Sequence, residues 1–420
     1  GWFKLSGLAN VNLVVIGHKD HGKSTLIGRL LYDSKAISEL KLREIMEELK
    51  RTGRKEFEFA FILDSLEEER AGGLTIDIMQ TPFKSEKYSY TIIDCPGHRE
   101  FIRKMLTGAS KADGAILVVS AKEGIEDQTR QHLFLARMLG IKQLVIAVNK
   151  MDLVGYSEEV FREVSDKIRE VSRSLGYGDV PIVPVSAFQG DNVIKRSNRM
   201  RWYKGKTLIE TLDSTVTPPK PPVEKPLRCS VQDVYEVEGE RVIACKVETG
   251  VIKVGDEVLH MPPGDMGVVE KILTPLGEEQ MAEPGESVGI VVKELRSVKR
   301  GDVISHPENP IKRVKEFTAE LVVFLDTEIR EDETVTIRVG TAERRCKVVK
   351  ILEKIDPVSL TVEERSPESL LEGDVGKVLL KPLEPLCLEV YSEFPELGRF
   401  VIVGGRGAEA AGIVLEKEDA

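Results

Sequence analysis

The first half of the chain alternates continuous apolar runs with segments of helical spacing. Runs without polar interruption are typical of strands buried on both faces of a parallel sheet, whereas apolar positions repeating every three to four residues predict helices. The predicted strands lie at residues 12–16, 90–93, 115–119, 144–148 and 181–185, and the predicted helices at 24–31, 133–139 and 158–175. Because strands and helices interleave, we predict an α/β domain with a doubly wound, mostly parallel sheet over residues 1–213.

The second half of the chain changes to an alternation with a period of two. Residues 214–226 (STVTPPKPPVEKP) contain five prolines and no periodic pattern, which is typical of an interdomain linker. Short alternating runs separated by glycine- and proline-containing turns follow in two groups, at 227–311 and 312–420. Each group has enough strands for a barrel or sandwich. We therefore predict two all-β barrel domains with these boundaries.

Composition narrows the class of protein. With 420 residues, 41% hydrophobic and 31% charged, the chain is long and apolar enough for several globular domains. Its net charge of −10 disfavours nucleic-acid binding driven by bulk charge. The sequence contains no run of about 18 apolar residues that would predict a membrane-spanning helix. Residues 1–10 lack the apolar core of a signal peptide. Five scattered cysteines predict neither a disulfide framework nor structural zinc, so we expect a cytoplasmic protein.

The strongest chemical motif is a phosphate-binding loop. Residues 17–24 (GHKDHGKS) match G-x-x-x-x-G-K-[ST] and lie between a predicted strand and a predicted helix, as the mechanism requires. The glycines allow backbone N–H groups to surround phosphate at the helix N-terminus. In this motif Lys23 meets the β- and γ-phosphates, and the Ser24 hydroxyl coordinates Mg²⁺. We predict a nucleotide site here, with Mg²⁺ as cofactor.

Three further motifs follow in the order that a GTPase requires. In DCPG (94–97), Asp94 can hold Mg²⁺ through water and the Gly97 amide can contact the γ-phosphate. In NKMD (149–152), the Asp152 carboxylate can accept both guanine N1–H and N2–H, which adenine does not offer. SAF (186–188) would place a backbone N–H at guanine O6. Each motif alone also fits a simple turn, but all four in this order predict a GTP/GDP site.

With these motifs the sequence resembles the translational GTPases, specifically the elongation factor 1-alpha/Tu class. The resemblance covers nearly the whole chain and implies a GTP-binding domain followed by two β-barrels. The segments that carry it are GHKDHGKST (17–25), EERAGGLTID (68–77), DCPGHREF (94–101), NKMD (149–152), SAFQGDNV (186–193), VQDVY (231–235), VETG (247–250), LGRF (397–400) and AAG (410–412).

The family pattern implies roles for individual residues. Thr75 corresponds to the switch threonine that reaches Mg²⁺ and the γ-phosphate in the GTP state. His98 matches the histidine that orients or activates the hydrolytic water, a task suited to an imidazole near neutral pH. The implied catalytic residues are thus Thr75, Gly97 and His98, and the implied metal-binding residues are Ser24, Thr75 and Asp94. The expected nucleotide-binding residues are His18, Asp20, His21, Gly22, Lys23, Ser24, Thr25, Asn149, Lys150, Asp152, Ser186, Ala187 and Phe188. Within this set we interpret His18 and His21 as packing residues of the loop.

Three functions remain open at this point. The leading hypothesis is a GTPase that acts with the ribosome and delivers aminoacyl-tRNA or a protein cargo. The second is the GTPase subunit of a sulfate adenylyltransferase, working with a separate ATP-sulfurylase catalytic subunit, because residues 339–341 and 355–357 are similar to that subunit. The third is a non-catalytic, GTP-switched binding module. All three predict GTP binding, and the first two predict GTP hydrolysis.

Overall fold

The computed structural model forms two compact units. It describes residues 7–18, 20–37, 40, 43–44, 47, 82–93, 104, 111–324, 327–356, 361–405 and 407–420. Among the described residues, the first unit ends at Pro219 and the second begins at Lys220. The switch segment 68–77 and the DCPG motif at 94–97 lie outside the described residues.

A six-stranded sheet forms the centre of the first unit. Its strands are β1 (Asn10–Gly17), β2 (Phe83–Lys84), β3 (Ser89–Ile93), β4 (Gly114–Ser120), β5 (Leu144–Asn149) and β6 (Ile182–Pro184). The strand order is β2-β3-β1-β4-β5-β6, and every pairing is parallel except that of the edge strand β2 with β3. The prediction of a mostly parallel α/β sheet is confirmed.

The strand order places a switch point beside β1. The chain leaves β1 to form β3 on one side and then returns to form β4 on the other. In open parallel sheets of this kind, ligands bind at the carboxyl ends of the strands where the order reverses. The loop after β1 begins at Gly17 and therefore lies at the position where the fold itself predicts a ligand site.

Side-chain caps mark the start of several helices in the first unit. In the described part of the first unit the helices are α1 (Lys23–Asp33), α2 (Asp127–Met138), α3 (Glu158–Ser174) and α4 (Leu208–Thr215), with a 3₁₀ turn at Met151–Val154. At the start of α3 the Ser157 hydroxyl accepts the Val160 N–H at 3.2 Å, and Thr207 forms a capping box with Glu210 before α4. No helix in the described part of the chain has the length and apolarity needed to cross a membrane.

The second unit begins with an eight-stranded curled sheet. The strands of this part of the chain are β7 (Arg228–Val237), β8 (Glu240–Thr249), β9 (Ile252–Lys253), β10 (Glu257–Met261), β11 (Asp265–Val268), β12 (Lys271–Thr274), β13 (Gly277–Glu279), β14 (Met281–Ala282), β15 (Ser287–Val291) and β16 (Val303–Ser305). Strands β9 and β14 form a separate two-stranded sheet. The order of the large sheet is β11-β10-β16-β7-β8-β15-β12-β13. Among the described pairings none joins β11 to β13, so this sheet curls around its apolar core without closing.

A closed barrel completes the unit. The elements of this part of the chain are β17 (Val314–Val323), β18 (Ile329–Arg330), β19 (Thr334–Val339), β20 (Ala342–Asp356), β21 (Thr361–Arg365), β22 (Ser369–Leu370), β23 (Val375–Pro382), α5 (Pro395–Gly398), β24 (Arg399–Gly404) and β25 (Gly407–Asp419). Strands β18 and β22 form a separate two-stranded sheet. The strand order β19-β24-β25-β17-β23-β20 is closed by direct pairing of β19 with β20. The expected succession of one α/β domain and two β domains is thereby confirmed.

Buried polar contacts join the two β domains within this unit. The Arg228 guanidinium lies 3.8 Å from the Glu389 carboxylate, and both side chains are at most 7% exposed. The Thr341 hydroxyl donates to the Val231 carbonyl at 2.6 Å. No helix or strand lies between α4 and β7, which agrees with a proline-rich connection. The domain boundaries predicted at 213/214, 226/227 and 311/312 stay predictions.

Candidate nucleotide-binding site

The predicted phosphate loop connects β1 to α1 without an intervening element. Gly17 and Gly22 have φ angles of 136° and 93°, which favour glycine. A Cβ atom at Gly17 would collide with the Val118 carbonyl, and one at Gly22 would collide with the side-chain amide of Asn149. Both glycines are therefore required by the close approach of neighbouring segments, as the motif predicted.

The residues that follow the loop start the helix and are almost inaccessible. Lys23, Ser24 and Thr25 are each at most 3% exposed. Helix α1 has eleven residues and no acidic residue in its first turn, so the positive end of its dipole faces the loop without a competing carboxylate. A buried lysine and a buried hydroxyl at this helix start fit a phosphate with its Mg²⁺ ion.

Two buried histidines hold the ends of the loop. The Gly17 N–H donates to Nδ1 of His132 on α2 at 2.9 Å, and the Ser120 N–H, at the end of β4, donates to Nδ1 of His21 at 3.1 Å. Both rings are 1% exposed. Burial, with a further contribution from neighbouring His18, lowers the pKa of His21 to about 4. His21 is therefore neutral at physiological pH and acts as an acceptor for the backbone.

Asn149 connects the phosphate loop to the SAF segment at residues 186–188, the predicted guanine loop. Its Nδ2 donates to the His21 carbonyl at 3.0 Å, while its Oδ1 accepts the Ala187 N–H at 2.9 Å. The side chain is 2% exposed. The phosphate loop and the NKMD and SAF motifs thus meet at one amide group. Along the chain, Asn149 is 128 residues from His21 and 38 residues from Ala187.

The Asp152 carboxylate lies beside the same two loops. Its Oδ1 accepts the Ser186 hydroxyl at 2.8 Å. Lys150, which adopts a left-handed φ of 62°, donates from Nζ to the Asp20 carbonyl at 2.6 Å. The Lys150 side chain therefore lies along the phosphate loop, and this contact fixes the turn on which Asp152 lies.

These segments enclose a cavity of about 190 Å³. It is lined by Gly22, Thr25, Asn149, Lys150, Asp152, Leu153 and Phe188. All but Leu153 were predicted from the motifs as nucleotide-binding residues. The carboxylate of Asp152 gives the cavity the acceptor that guanine N1–H and N2–H require.

Sequence reasoning did not identify Arg29, which ties the guanine loop to α1. Its Nε donates to the Ala187 carbonyl at 2.8 Å and its Nη2 to the Phe188 carbonyl at 2.6 Å. No motif includes this position, and the signal available was a charged residue within the mostly apolar stretch at 26–31. His132 was likewise interpreted only as a structural residue without a companion.

The predicted switch and catalytic residues Thr75, Asp94, Gly97 and His98 lie outside the described residues and stay predictions. Of the expected Mg²⁺ ligands, Ser24 is the one that lies within the described residues. Within the described ranges no group of three His, Cys, Asp or Glu side chains is arranged to hold a metal ion. The four described cysteines are buried free thiols.

A parallel sheet, a phosphate loop before α1 and an aspartate beside the guanine loop define a P-loop protein of the GTPase type. Models of known families agree along the chain: the elongation factor Tu GTP binding domain matches residues 9–218, elongation factor Tu domain 2 matches 240–305, and the GTP-eEF1A C-terminal domain-like family matches 316–415.

Individual relatives match over the full length. Elongation factor 1-alpha of Saccharolobus solfataricus is 45% identical and covers 99% of both chains. Those of Aeropyrum pernix and Methanocaldococcus jannaschii are 45% and 44% identical, covering 98% and 97% of this chain and 97% of each relative. Among solved structures, sup35 complexed with GDP is 28% identical, covering 100% of this chain and 97% of that chain, with a TM-score of 0.46.

The chain belongs to the translational GTPase family, in the elongation factor 1-alpha/Tu class. It is a GTP-switched elongation factor that acts in translation, binds GTP and GDP, and hydrolyses GTP. The leading hypothesis from the sequence is confirmed at this level. The full-length identity to elongation factor 1-alpha favours it over the sulfate adenylyltransferase subunit and over a non-catalytic module.

Proposed function

We propose that this elongation factor, in its GTP form with Mg²⁺, delivers aminoacyl-tRNA to the ribosome in the cytoplasm. The observation that carries the proposal is identity of about 45% to elongation factor 1-alpha across both β domains as well as the GTPase domain. A chain that shared only GTP hydrolysis with these relatives would need to resemble them only in the first domain. Similarity across all three domains supports a shared cargo class.

The nucleotide would be held at both of its ends. Lys23 would neutralise the β- and γ-phosphates at the N-terminus of α1, where its side chain is buried. Asp152 would accept N1–H and N2–H of guanine in the cavity. Adenine would offer this carboxylate neither N1–H nor N2–H, so Asp152 would keep the Ser186 hydroxyl as a donor and lose two hydrogen bonds to a charged group, worth about 1.5–3 kcal/mol each.

Mg²⁺ would be held by Ser24, by Asp94 through water and, in the GTP form, by Thr75. When bound, the ion neutralises charge that develops between the β- and γ-phosphates. His98 would orient the attacking water and Gly97 would contact the γ-phosphate through its N–H. Loss of the γ-phosphate removes the contacts of Thr75 and Gly97, so the two nucleotide states would differ in these segments.

The proposal is tested by protection of an aminoacyl ester. The full chain is mixed with aminoacyl-tRNA and either a non-hydrolysable GTP analogue or GDP, and spontaneous deacylation is followed. Protection with the analogue, its absence with GDP and weak binding of deacylated tRNA are the expected results. The matched variant Thr75→Ala should lose the difference between nucleotides, because a ligand shifts a two-state equilibrium only through differential affinity.

Failure of protection in both nucleotide states would contradict tRNA delivery. Retention of a protein by the GTP-analogue form, from ribosome-associated extract and without tRNA, would then assign a protein cargo. Retention of an ATP-sulfurylase catalytic subunit would favour the sulfate-activation alternative instead.

A further inference from the structure

Arg29 lies against the guanine loop, one helical turn after Thr25, which lines the cavity. It is in the middle of α1, and its guanidinium makes a fork to the carbonyls of Ala187 and Phe188 at 2.8 and 2.6 Å. Its side chain is 11% exposed and lies 3.4 Å from Asp33, one helical turn further on. Arginine can hold two acceptors at once because its donors form a rigid planar fork. The contact fixes two successive peptide planes of the loop.

The planarity of the peptide bond carries this constraint across to the cavity. In a trans peptide the C=O and N–H groups point in opposite directions. When Arg29 holds the Ala187 carbonyl, the N–H of the same peptide, which belongs to Phe188, points away from the guanidinium. Phe188 lines the cavity, so the peptide that Arg29 fixes adjoins the space for the base.

The preceding N–H group is already engaged. The Ala187 N–H donates to Asn149 Oδ1 at 2.9 Å, and the following one, of Gln189, donates to the Ser186 hydroxyl at 3.1 Å. Of the three amides in this loop, the Phe188 N–H is therefore the donor best placed for a ligand. The acceptor that guanine offers beyond its N1–H and N2–H donors is O6.

The close packing of the loop against α1 supports a fixed geometry. Gly190 has a left-handed φ of 89°, and a Cβ atom there would lie 3.4 Å from the Arg29 guanidinium. The Gly190 N–H donates to the Ser186 carbonyl at 2.7 Å, which closes the loop tightly. Arg29 thus fills the space that the loop leaves on its rear side.

We propose that Arg29 is a positioning residue for guanine specificity: it holds the Ala187–Phe188 peptide so that the Phe188 N–H recognises O6. The proposal rests on the nucleotide site assigned above and adds the element that orients its O6 donor. Arg29 does not touch the nucleotide. Its effect appears as discrimination at O6, separately from the recognition of N2 by Asp152.

The test compares three nucleotides on one preparation of the full chain. 6-Thio-GDP replaces O6 with sulfur, a weak acceptor, and keeps both donors, whereas IDP lacks only the N2 amino group. In the wild type each change should weaken binding by about tenfold, because each removes one hydrogen bond of the site. Ratios of dissociation constants measured on the same sample are insensitive to a reduced folded fraction.

Arg29→Met should bring the ratio for 6-thio-GDP over GDP to within about threefold, because a Phe188 N–H that is no longer held would discriminate little between oxygen and sulfur. The ratio for IDP over GDP should stay near its wild-type value. Arg29→Lys should give an intermediate ratio, because an ammonium cannot reproduce the two-carbonyl fork. The control Arg162→Met removes an exposed arginine that pairs with Glu158 four residues earlier on α3, and both ratios should match the wild type.

Unchanged ratios in Arg29→Met and Arg29→Lys would overturn the proposal, and so would equal losses in both ratios, which indicate general loosening of the site. A wild-type protein that binds ADP as well as GDP would overturn the guanine site itself. That last result is distinguishable because it appears before any substitution is made.

Discussion

Replacing Asn149 with alanine removes one amide that holds two loops of the nucleotide site together. The substitution leaves the His21 carbonyl and the Ala187 N–H without the partners they have at 3.0 and 2.9 Å. Both contacts are buried, and alanine retains the backbone of β5 at its carboxyl end. The variant therefore tests whether the phosphate loop and the guanine loop depend on each other.

The expected cost follows from the two groups left without partners. An unsatisfied buried polar group costs about 1–3 kcal/mol, and water entering the adjacent cavity places both groups near the lower end, which gives about 2 kcal/mol of lost stability. The same contacts fix the walls of the base cavity. If most of this free energy is needed again to order the loops around the nucleotide, GDP affinity falls by about 10- to 25-fold, at 1.4 kcal/mol for each factor of ten.

Titration calorimetry with GDP and Mg²⁺ measures the affinity, and thermal unfolding of the nucleotide-free protein measures the stability. Gln143→Ala is a matched control in the same domain, because the Gln143 amide also bridges two backbone groups. Its Nε2 donates to the Asp113 carbonyl at 2.7 Å and its Oε1 accepts the Thr217 N–H at 2.9 Å. This control should lose stability and keep its GDP affinity. Wild-type affinity and stability in Asn149→Ala would refute the reasoning.

Three further outcomes are expected. Asp152→Asn should shift preference from guanine to xanthine nucleotides, whose C2 oxygen needs a donor, and competition between GDP and XDP measures it; unchanged preference would place guanine recognition elsewhere. Lys23→Ala should impair binding of GDP and GTP, whereas His98→Ala should keep GTP affinity and slow hydrolysis, so normal single-turnover rates in His98→Ala would contradict its catalytic role. Because the pKa of His21 is lowered to about 4 from an unfolded value of 6.5, the unfolded chain binds the proton first as pH falls. The wild type should therefore lose about 2 kcal/mol more stability than His21→Asn between pH 7 and 5 in denaturant titrations, and parallel profiles would reject this.

The elements of the sheet and the motif positions follow from local patterns in the sequence. Residues 144–148 are continuously apolar and form β5 together with Asn149, the first residue of the NKMD motif. The glycine positions of the phosphate loop are equally local, because a left-handed φ such as that of Gly22 strongly restricts the residue type. Predictions of this kind succeed because strand, turn and helix start are each determined within about ten residues.

The contacts that assemble the site could not be predicted in the same way. The bond from Gly17 to His132 spans 115 residues, and those from Arg29 to the guanine loop span 158 and 159. Neither residue belongs to a spaced motif, and their partners are backbone groups, which leave no trace in side-chain type. Closure of the third domain and the open curl of the second are likewise set by pairing between distant strands, which alternation of apolar and polar residues does not encode.

The guanine loop is connected to the rest of the domain on two sides without any ligand. Asn149 takes the Ala187 N–H from the phosphate-loop side, and Arg29 holds the following carbonyls from the side of α1. A base that enters the cavity thus meets a donor and an acceptor whose positions are already restrained, and less conformational entropy is lost on binding. In the proposed site, discrimination would then depend on the fit of guanine to fixed groups. Adenine would place an amino group where the Phe188 N–H requires an acceptor, and it would offer Asp152 no N1–H. The same restraint explains why residues that never touch the nucleotide should alter its selectivity.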